Sequence, residues 1–212
     1  MGLKMVDGLK IIDNFFDDPD SVRAHAITLR TYEPCDFYSN GGIFSGYRTP
    51  IKEQSIEEYI TKKIKSIFNK KIIFLSQVFH LNTITSVLGC PHTDNGGIRN
   101  SDIAGVIYLN KNAPIGSGTS LYESEHDEIE HYLAKMQILY DVSLPPRNPI
   151  KMQIAKEINA FKSKLKIAAS SENVFNRLIV YPASVYHSPE NYFGETLEDG
   201  RLTIALHGKF AD

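Results

Sequence analysis

Cysteine is scarce: Cys35 and Cys90 are the only two in the chain. That excludes a disulfide scaffold and predicts a reducing, cytoplasmic setting in which thiols stay free. No apolar run approaches the roughly 20 residues needed to span a bilayer. The segment Met1-Gly2-Leu3-Lys4-Met5-Val6 has no apolar signal core, and it has Val6 where a myristoylation signal wants Ser or Thr, so no membrane anchor is expected. Charge of one sign is lacking as well: the net charge is -2 and the pI about 6.4. Nothing sequence-wide therefore attracts a phosphate backbone, and nucleic acid is not expected as a partner. Repeats and low-complexity runs are absent. What remains, 212 residues of which 42% are hydrophobic, predicts one domain able to bury a core without staples.

Local patterns then divide the chain. Asp18-Pro19 reads as an N-cap followed by proline at the first helical position, predicting a helix to about Leu29. Cys35 to Pro50, with glycines and aromatics but no period, reads as a loop. Ile56, Ile60, Ile64, Ile67 and Phe68 recur at helical spacing over Ser55–Phe68, with Ser55 and Glu58 placed as a capping box. After Lys71 the texture changes to short β-branched or aromatic runs: Ile72 to Leu81, Thr83 to Leu88, Ile103 to Leu109, Thr119 to Tyr122, Leu178 to Tyr181 and Leu202 to Leu206. Helical support over about 1–71 and a β core over about 72–210 follow. The core is interrupted by a helical insertion over about 123–171, in which Ile150, Ile154, Ile158, Phe161 and Leu165 form one stripe.

His92-Thr93-Asp94 puts an imidazole and a carboxylate two residues apart, and on extended chain both point to one face. They can share a metal. By itself the triplet is weak: with seven histidines, about 0.4 His-x-Asp triplets arise by chance. His126-Asp127-Glu128 shows the hazard, since it sits in what reads as a solvated acidic face. His126 and His131, five apart, diverge on a helix and make no zinc pair.

Order and context raise the first triplet. His187 follows the apolar strand Leu178-Ile179-Val180-Tyr181, which breaks at Pro182. Further on, Leu202, Ile204 and Leu206 alternate with Arg201, Thr203 and Ala205, so one face of that strand is apolar and the other presents a cation and a hydroxyl. A guanidinium is the natural bidentate partner of a buried carboxylate, and a neighbouring hydroxyl can add a bond. Two histidines and one carboxylate on one face of an octahedron form the ligand set of non-heme Fe(II) oxygenases.

These pieces, His92-x-Asp94, Gly105-Val106-Ile107-Tyr108-Leu109-Asn110, Gly116-Ser117-Gly118-Thr119, His187 and Arg201-x-Thr203, together resemble the 2-oxoglutarate and Fe(II)-dependent dioxygenase superfamily, especially its prolyl-4-hydroxylase-like branch. The resemblance covers roughly residues 72–210 and, less specifically, Ile12-Asp13-Asn14-Phe15-Phe16. It implies a mainly β fold with flanking helices, a double-stranded β-helix or cupin-like jelly roll with the site in its open mouth. It also implies Fe(II) held by His92, Asp94 and His187, and 2-oxoglutarate held through its C5 carboxylate by Arg201 and Thr203. O2 would be the second cosubstrate, and hydroxylation of a peptidyl (prolyl-like) or small-molecule C–H bond, with release of succinate and CO2, the default outcome. The implied Asp94 ligand argues against halogenation. The spacing from His187 to Arg201 exceeds the family's usual value of about ten, so the excess must loop out between Ser188 and Gly200, whose Pro, Asn and Gly content permits it.

Tyr108 and Asn82 are candidate cosubstrate contacts, against ordinary packing roles. Tyr47 and Arg48 are candidate substrate contacts, and Cys90 a candidate soft ligand that would favour zinc. A zinc-dependent hydrolase and a non-catalytic jelly roll binding sugar or protein remain alternatives.

Overall fold

In the computed structural model, which describes residues 6–34, 37–39, 42–44, 46–86, 89, 91–95, 100–123 and 149–211, the first helix, α1 (Pro19–Thr28), starts where the sequence predicts. Asp18 Oδ1 accepts a hydrogen bond from Ser21 N at 3.1 Å, and Pro19 sits where a missing N–H costs nothing. The second helix, α2 (Gln54–Phe68), starts one residue earlier than expected, with Glu53 as an N-cap that makes no side-chain cap bond. The Ser55–Glu58 capping box does not form. Ser55 lies inside the first turn, so its hydroxyl donates to Glu53 Oε1 at 2.9 Å, while Glu58 Oε1 accepts from Gln54 Nε2 at 2.6 Å. Asn69, at φ 50, takes the left-handed conformation that ends the helix.

The main sheet contains β1 (Lys10–Ile12), β2 (Glu33–Pro34), β5 (Tyr47–Pro50), β6 (Ile72–Asn82), β7 (Ile103–Tyr108), β10 (Leu178–Pro182) and β12 (Arg201–Phe210). Its order is β1-β10-β7-β12-β6-β5-β2, and the paired neighbours are antiparallel. A second sheet has β11 (His187–Pro189), β8 (Thr119–Glu123) and β9 (Lys166–Ser171) in the order β11-β8-β9, and β3 (Phe37–Ser39) with β4 (Gly42–Phe44) makes a separate pair. This is a mainly β jelly roll with flanking helices.

Alternation along the strands decides what each face meets. Leu202, Ile204 and Leu206 of β12, with Leu178 and Val180 of β10, join Val22 and Ala26 of α1 and Ile60 and Ile64 of α2 in one core behind the main sheet. Each fully buried Leu or Ile contributes about 1.5–3 kcal/mol of transfer free energy. The opposite parity, Ile179 and Tyr181 of β10 and Ala104 and Tyr108 of β7, packs with Leu121 of β8 in a second core between the sheets. Arg201, Thr203, Ala205 and His207 share that inner face. No described helix is long and apolar enough to cross a membrane.

Several local expectations are corrected. Thr83–Ser86 forms a turn, not the start of a strand, because hydroxyl side chains satisfy the backbone locally: Thr83 N donates to Ser86 Oγ at 3.0 Å and Ser86 N to Thr83 O at 2.9 Å. The predicted loop over Cys35–Pro50 contains short strands, with β5 paired to β6; the pairing partner, not an internal period, makes it extended. The insertion read as helical to Ser171 contains a third helix, α3 (Pro149–Lys162), but then the strand β9. Lys166-Ile167-Ala168-Ala169 carries little β propensity of its own, and pairing with β8 overrides it. The N-terminal support is not purely helical either, since β1, β2 and β5 belong to the main sheet. Cys35, Cys90, His126, Asp127, Glu128 and His131 lie outside the described residues.

The N-terminal Phe15-Phe16 is tied to the core by Asn176. Phe16 N donates to Asn176 Oδ1 at 2.8 Å and Asn176 Nδ2 donates to Phe16 O at 2.9 Å, both buried. Asn176 also sits at φ 63, tolerable for Asn and costly for Ala. Asn176→Ala therefore orphans two buried groups and strains the backbone, at an expected cost of about 2–5 kcal/mol. Asn176→Gly should recover only the backbone part. Urea unfolding measures both, and a loss below about 0.5 kcal/mol in the alanine variant would contradict this role.

Candidate metal centre

His92 and His187 are brought together by the backbone. His92 N donates to His187 O at 3.1 Å and His187 N to His92 O at 3.0 Å, an isolated antiparallel bridge that places the two residues directly opposite each other. Their rings lie 4.4 Å apart between centroids. Asp94, two residues on from His92, returns to the same face, and its N donates to Ala183 O at 2.7 Å. One ligand atom from each of His92, Asp94 and His187 lies within 4.8 Å of the others.

The atoms suit a cation. His187 Nε2 is 3.2 Å from Asp94 Oδ2, and His92 Nε2 is 3.8 Å from Asp94 Oδ1. Neighbouring ligands around an octahedral ion with bonds of about 2.1 Å sit about 3 Å apart, so a small contraction completes the set. His187 Nδ1 lies 3.0 Å from Val185 O. A carbonyl only accepts, so in a neutral ring the proton is on Nδ1, and Nε2 turns its lone pair toward the carboxylate. A lone pair facing a carboxylate oxygen across 3.2 Å repels it unless a proton or a metal ion lies between them.

The Asp94 side chain is 8% exposed. Burial alone would raise its carboxyl, but His207 and His187 beside it outweigh burial and hold it well below the usual carboxylate range. It is an anion at neutral pH. Tyr181, whose ring is 4.6 Å from that of His187, shows the converse. Burial, with the Asp94 charge adding to it, pushes its hydroxyl well above the ordinary value, so it stays protonated.

The metal-ligand candidates line one cavity with Arg48, His80, Asn82, Thr119, Tyr181, Arg201 and His207. Arg201 is 3% exposed. Its Nε donates to Ser117 O at 3.1 Å, and one terminal nitrogen lies 3.4 Å from both Gly118 O and Thr119 Oγ1. The guanidinium also lies over the Tyr108 ring, 5.5 Å from its centroid. All these partners are neutral. A buried guanidinium with no anion among its described partners is expensive, and this one opens onto a cavity. Gly118 permits the cradle: a Cβ there would stand 1.8 Å from Ser171 O.

The other residues singled out by sequence fall in different places. Asn82 is buried and lines the cavity, in register with Arg201. Tyr108 is fully buried behind it, its hydroxyl donating to Thr119 Oγ1 at 2.8 Å. Thr203 is not brought to the cavity wall; its hydroxyl donates to His80 O at 3.4 Å, and Thr119 offers the hydroxyl beside Arg201 instead. Arg48 lines the cavity, while Tyr47 is exposed and does not. Residues 190–200 form the expected loop, closed where Asp199 Oδ1 accepts from Thr196 N at 2.7 Å. Sequence reasoning missed His207 and Thr119. Extending the alternation of Arg201, Thr203 and Ala205 by one step would have found the first; the second stood in the loop Gly116-Ser117-Gly118-Thr119, which was given no role of its own.

A family model described as "Family of unknown function (DUF6445)" matches residues 5–207. No curated protein matches the chain. Among solved structures, the fold is similar to a prolyl hydroxylase from Trichoplax adhaerens in complex with a hypoxia inducible factor oxygen degradation domain peptide fragment, with a TM-score of 0.61 at 14% identity over 96% of this chain and 84% of that one. It is also similar to a Pseudomonas putida prolyl-4-hydroxylase (TM-score 0.54, 11% identity, 97% and 94% coverage). HygX from Streptomyces hygroscopicus with nickel and 2-oxoglutarate bound matches at TM-score 0.55 and 12% identity, over 95% and 83% of the two chains. At these identities the likeness establishes the fold, that of the 2-oxoglutarate-dependent oxygenases.

Proposed function

The chain belongs to this family of unknown function, DUF6445, and from its oxygenase fold and its site we propose that it is an Fe(II)- and 2-oxoglutarate-dependent dioxygenase. The observation that carries the reading is one cavity holding both a two-histidine, one-carboxylate set and a buried arginine whose described partners are all neutral. A zinc hydrolase needs the first and has no use for the second; a binding module needs neither.

In this reading residues 1–212 act as one dioxygenase domain. His92, Asp94 and His187 would hold the iron. Arg201 takes the C5 carboxylate of 2-oxoglutarate in a charge-assisted pair, and Thr119 adds a hydroxyl to the same group. Tyr108 orients Thr119 by donating to it and puts its ring face under the guanidinium, so both donors are set before the anion arrives. Thr203 supports the wall through His80 O. Asn82 faces the cavity as an amide donor for a carboxylate. Bound Fe(II) with 2-oxoglutarate and O2 supplies oxidative decarboxylation to succinate and CO2, coupled to oxidation of a substrate C–H bond. The substrate, peptidyl or small, enters at the mouth beside Arg48 and Tyr192.

Anaerobic addition of Fe(II) and 2-oxoglutarate is expected to produce a weak visible charge-transfer band, and admission of O2 to produce succinate. Zn(II)-dependent hydrolysis in the absence of any such band would replace this reading with the hydrolase.

A further inference from the structure

His207 belongs to the inner face of β12 but to neither function assigned to that face. Its side chain is 7% exposed, and Nε2 stands 3.5 Å from Asp94 Oδ2, the same oxygen that His187 approaches to 3.2 Å. The register explains how a residue six positions beyond Arg201 reaches the carboxylate. His207 pairs with Ser76 on β6 and Ala104 on β7, two small side chains that leave the ring room above the sheet. β12 thus carries the anion clamp at its start and the histidine about 20 Å further along, so one rigid strand spans both halves of the cavity.

A carboxylate ligand bound through one oxygen can swing about its last torsion and chelate through both, which would occupy a coordination position that the cosubstrates need. His187 is fixed by Val185 O; Asp94 has no main-chain group on its carboxylate among the described contacts, and its neighbours there are the three histidines. The only one of these outside the ligand set is His207.

We propose that His207 is a positioning residue for the metal centre, its Nε2–H donating to Asp94 Oδ2 and holding the carboxylate in a one-oxygen binding pose toward His92 and His187. The inference rests on the metal-centre reading above and adds to it a residue outside the ligand set.

Cobalt(II) is the probe, because its ligand-field bands report coordination number without turnover. Its affinity is read by calorimetry and its visible spectrum recorded for the wild type, His207→Leu and His207→Gln, with urea midpoints to confirm folding. Glutamine can place its amide nitrogen near the position of Nε2 and still donate. The leucine variant is expected to weaken Co(II) binding 10- to 100-fold, as loss of a ligand-supporting partner does, and to shift the bands. The glutamine variant is expected to bind within about threefold of wild type with unshifted bands. If the leucine variant does not fold, His207→Phe, which keeps the ring volume and lacks the donor, takes its place. Wild-type affinity and spectrum in the donor-less variant would make His207 mere packing. A glutamine variant as weak as leucine would mean that the imidazole itself ligates, and would overturn the positioning role. Failure of the wild type to bind Co(II) would remove the metal centre itself, an outcome distinct from either.

Discussion

His92→Ala, Asp94→Ala and His187→Ala are each expected to abolish turnover and to weaken Fe(II) or Co(II) binding by more than about 100-fold, above the range of an outer-shell loss and equivalent to at least about 2.7 kcal/mol. Each removes one of three protein bonds, and no other described residue groups with the remaining two within 4.8 Å. The fold should survive. None of the three belongs to the helix-backed core that joins α1 and α2 to the main sheet, and the bridge between His92 and His187 is made by backbone atoms that alanine retains. Asp94→Ala should be the most severe for metal, because it deletes the only anion of the set. Titration of metal against each variant, with urea unfolding alongside, is the measurement. A variant that binds metal like the wild type would strike its residue from the site, and one that fails to fold would show the residue to be structural.

Arg201→Ala and Arg201→Lys are expected to raise the 2-oxoglutarate requirement while leaving metal affinity nearly unchanged. A charge-assisted bond to a carboxylate is worth about 1.5–3 kcal/mol, so the alanine variant should need roughly 10- to 150-fold more cosubstrate. Lysine should recover only part of this, for a geometric reason. Arg201 is oriented through Nε to Ser117 O and a terminal nitrogen to Gly118 O and Thr119 Oγ1, and its plane lies over Tyr108. An ammonium can satisfy one or two of these contacts but cannot present a fork to the anion at the same time. Because the arginine is buried, the alanine variant also opens a void lined by the carbonyls of residues 117 and 118, and it should lose some stability where lysine loses less. Calorimetric titration of 2-oxoglutarate into the metal-loaded protein separates the two quantities. Unchanged cosubstrate affinity in both variants would require another cation, and Arg48 on the same cavity would be the next to test.

Much of the scaffold was legible because its determinants are local. Asp18-Pro19 starts α1 with groups three residues apart; the stripe Ile56, Ile60, Ile64 defines the buried face of α2; and the parity of Leu202, Ile204 and Leu206 against Arg201 and Thr203 states which side of β12 is core. The misread segments were those where the partner strand supplies the order. β9 is an alanine- and serine-rich stretch that becomes a strand by pairing with β8, and β5 is extended by pairing with β6.

The site divides in the same way. Residue order, with the family resemblance it carries, put forward His92, Asp94, His187 and Arg201, because ligand chemistry restricts residue types and an extended chain fixes which neighbours share a face; the structure brings the four to one cavity. Tertiary structure alone decided that Thr119, not Thr203, offers its hydroxyl beside Arg201, that Tyr108 stands behind that pair, and that His207 meets Asp94. Those contacts join different strands or, at Asp94, a strand and a loop, with Thr119 and Arg201 82 residues apart and Tyr108 and Thr119 eleven. Their distances depend on sheet register and on the separation of the packed layers, and no spacing along the chain encodes either.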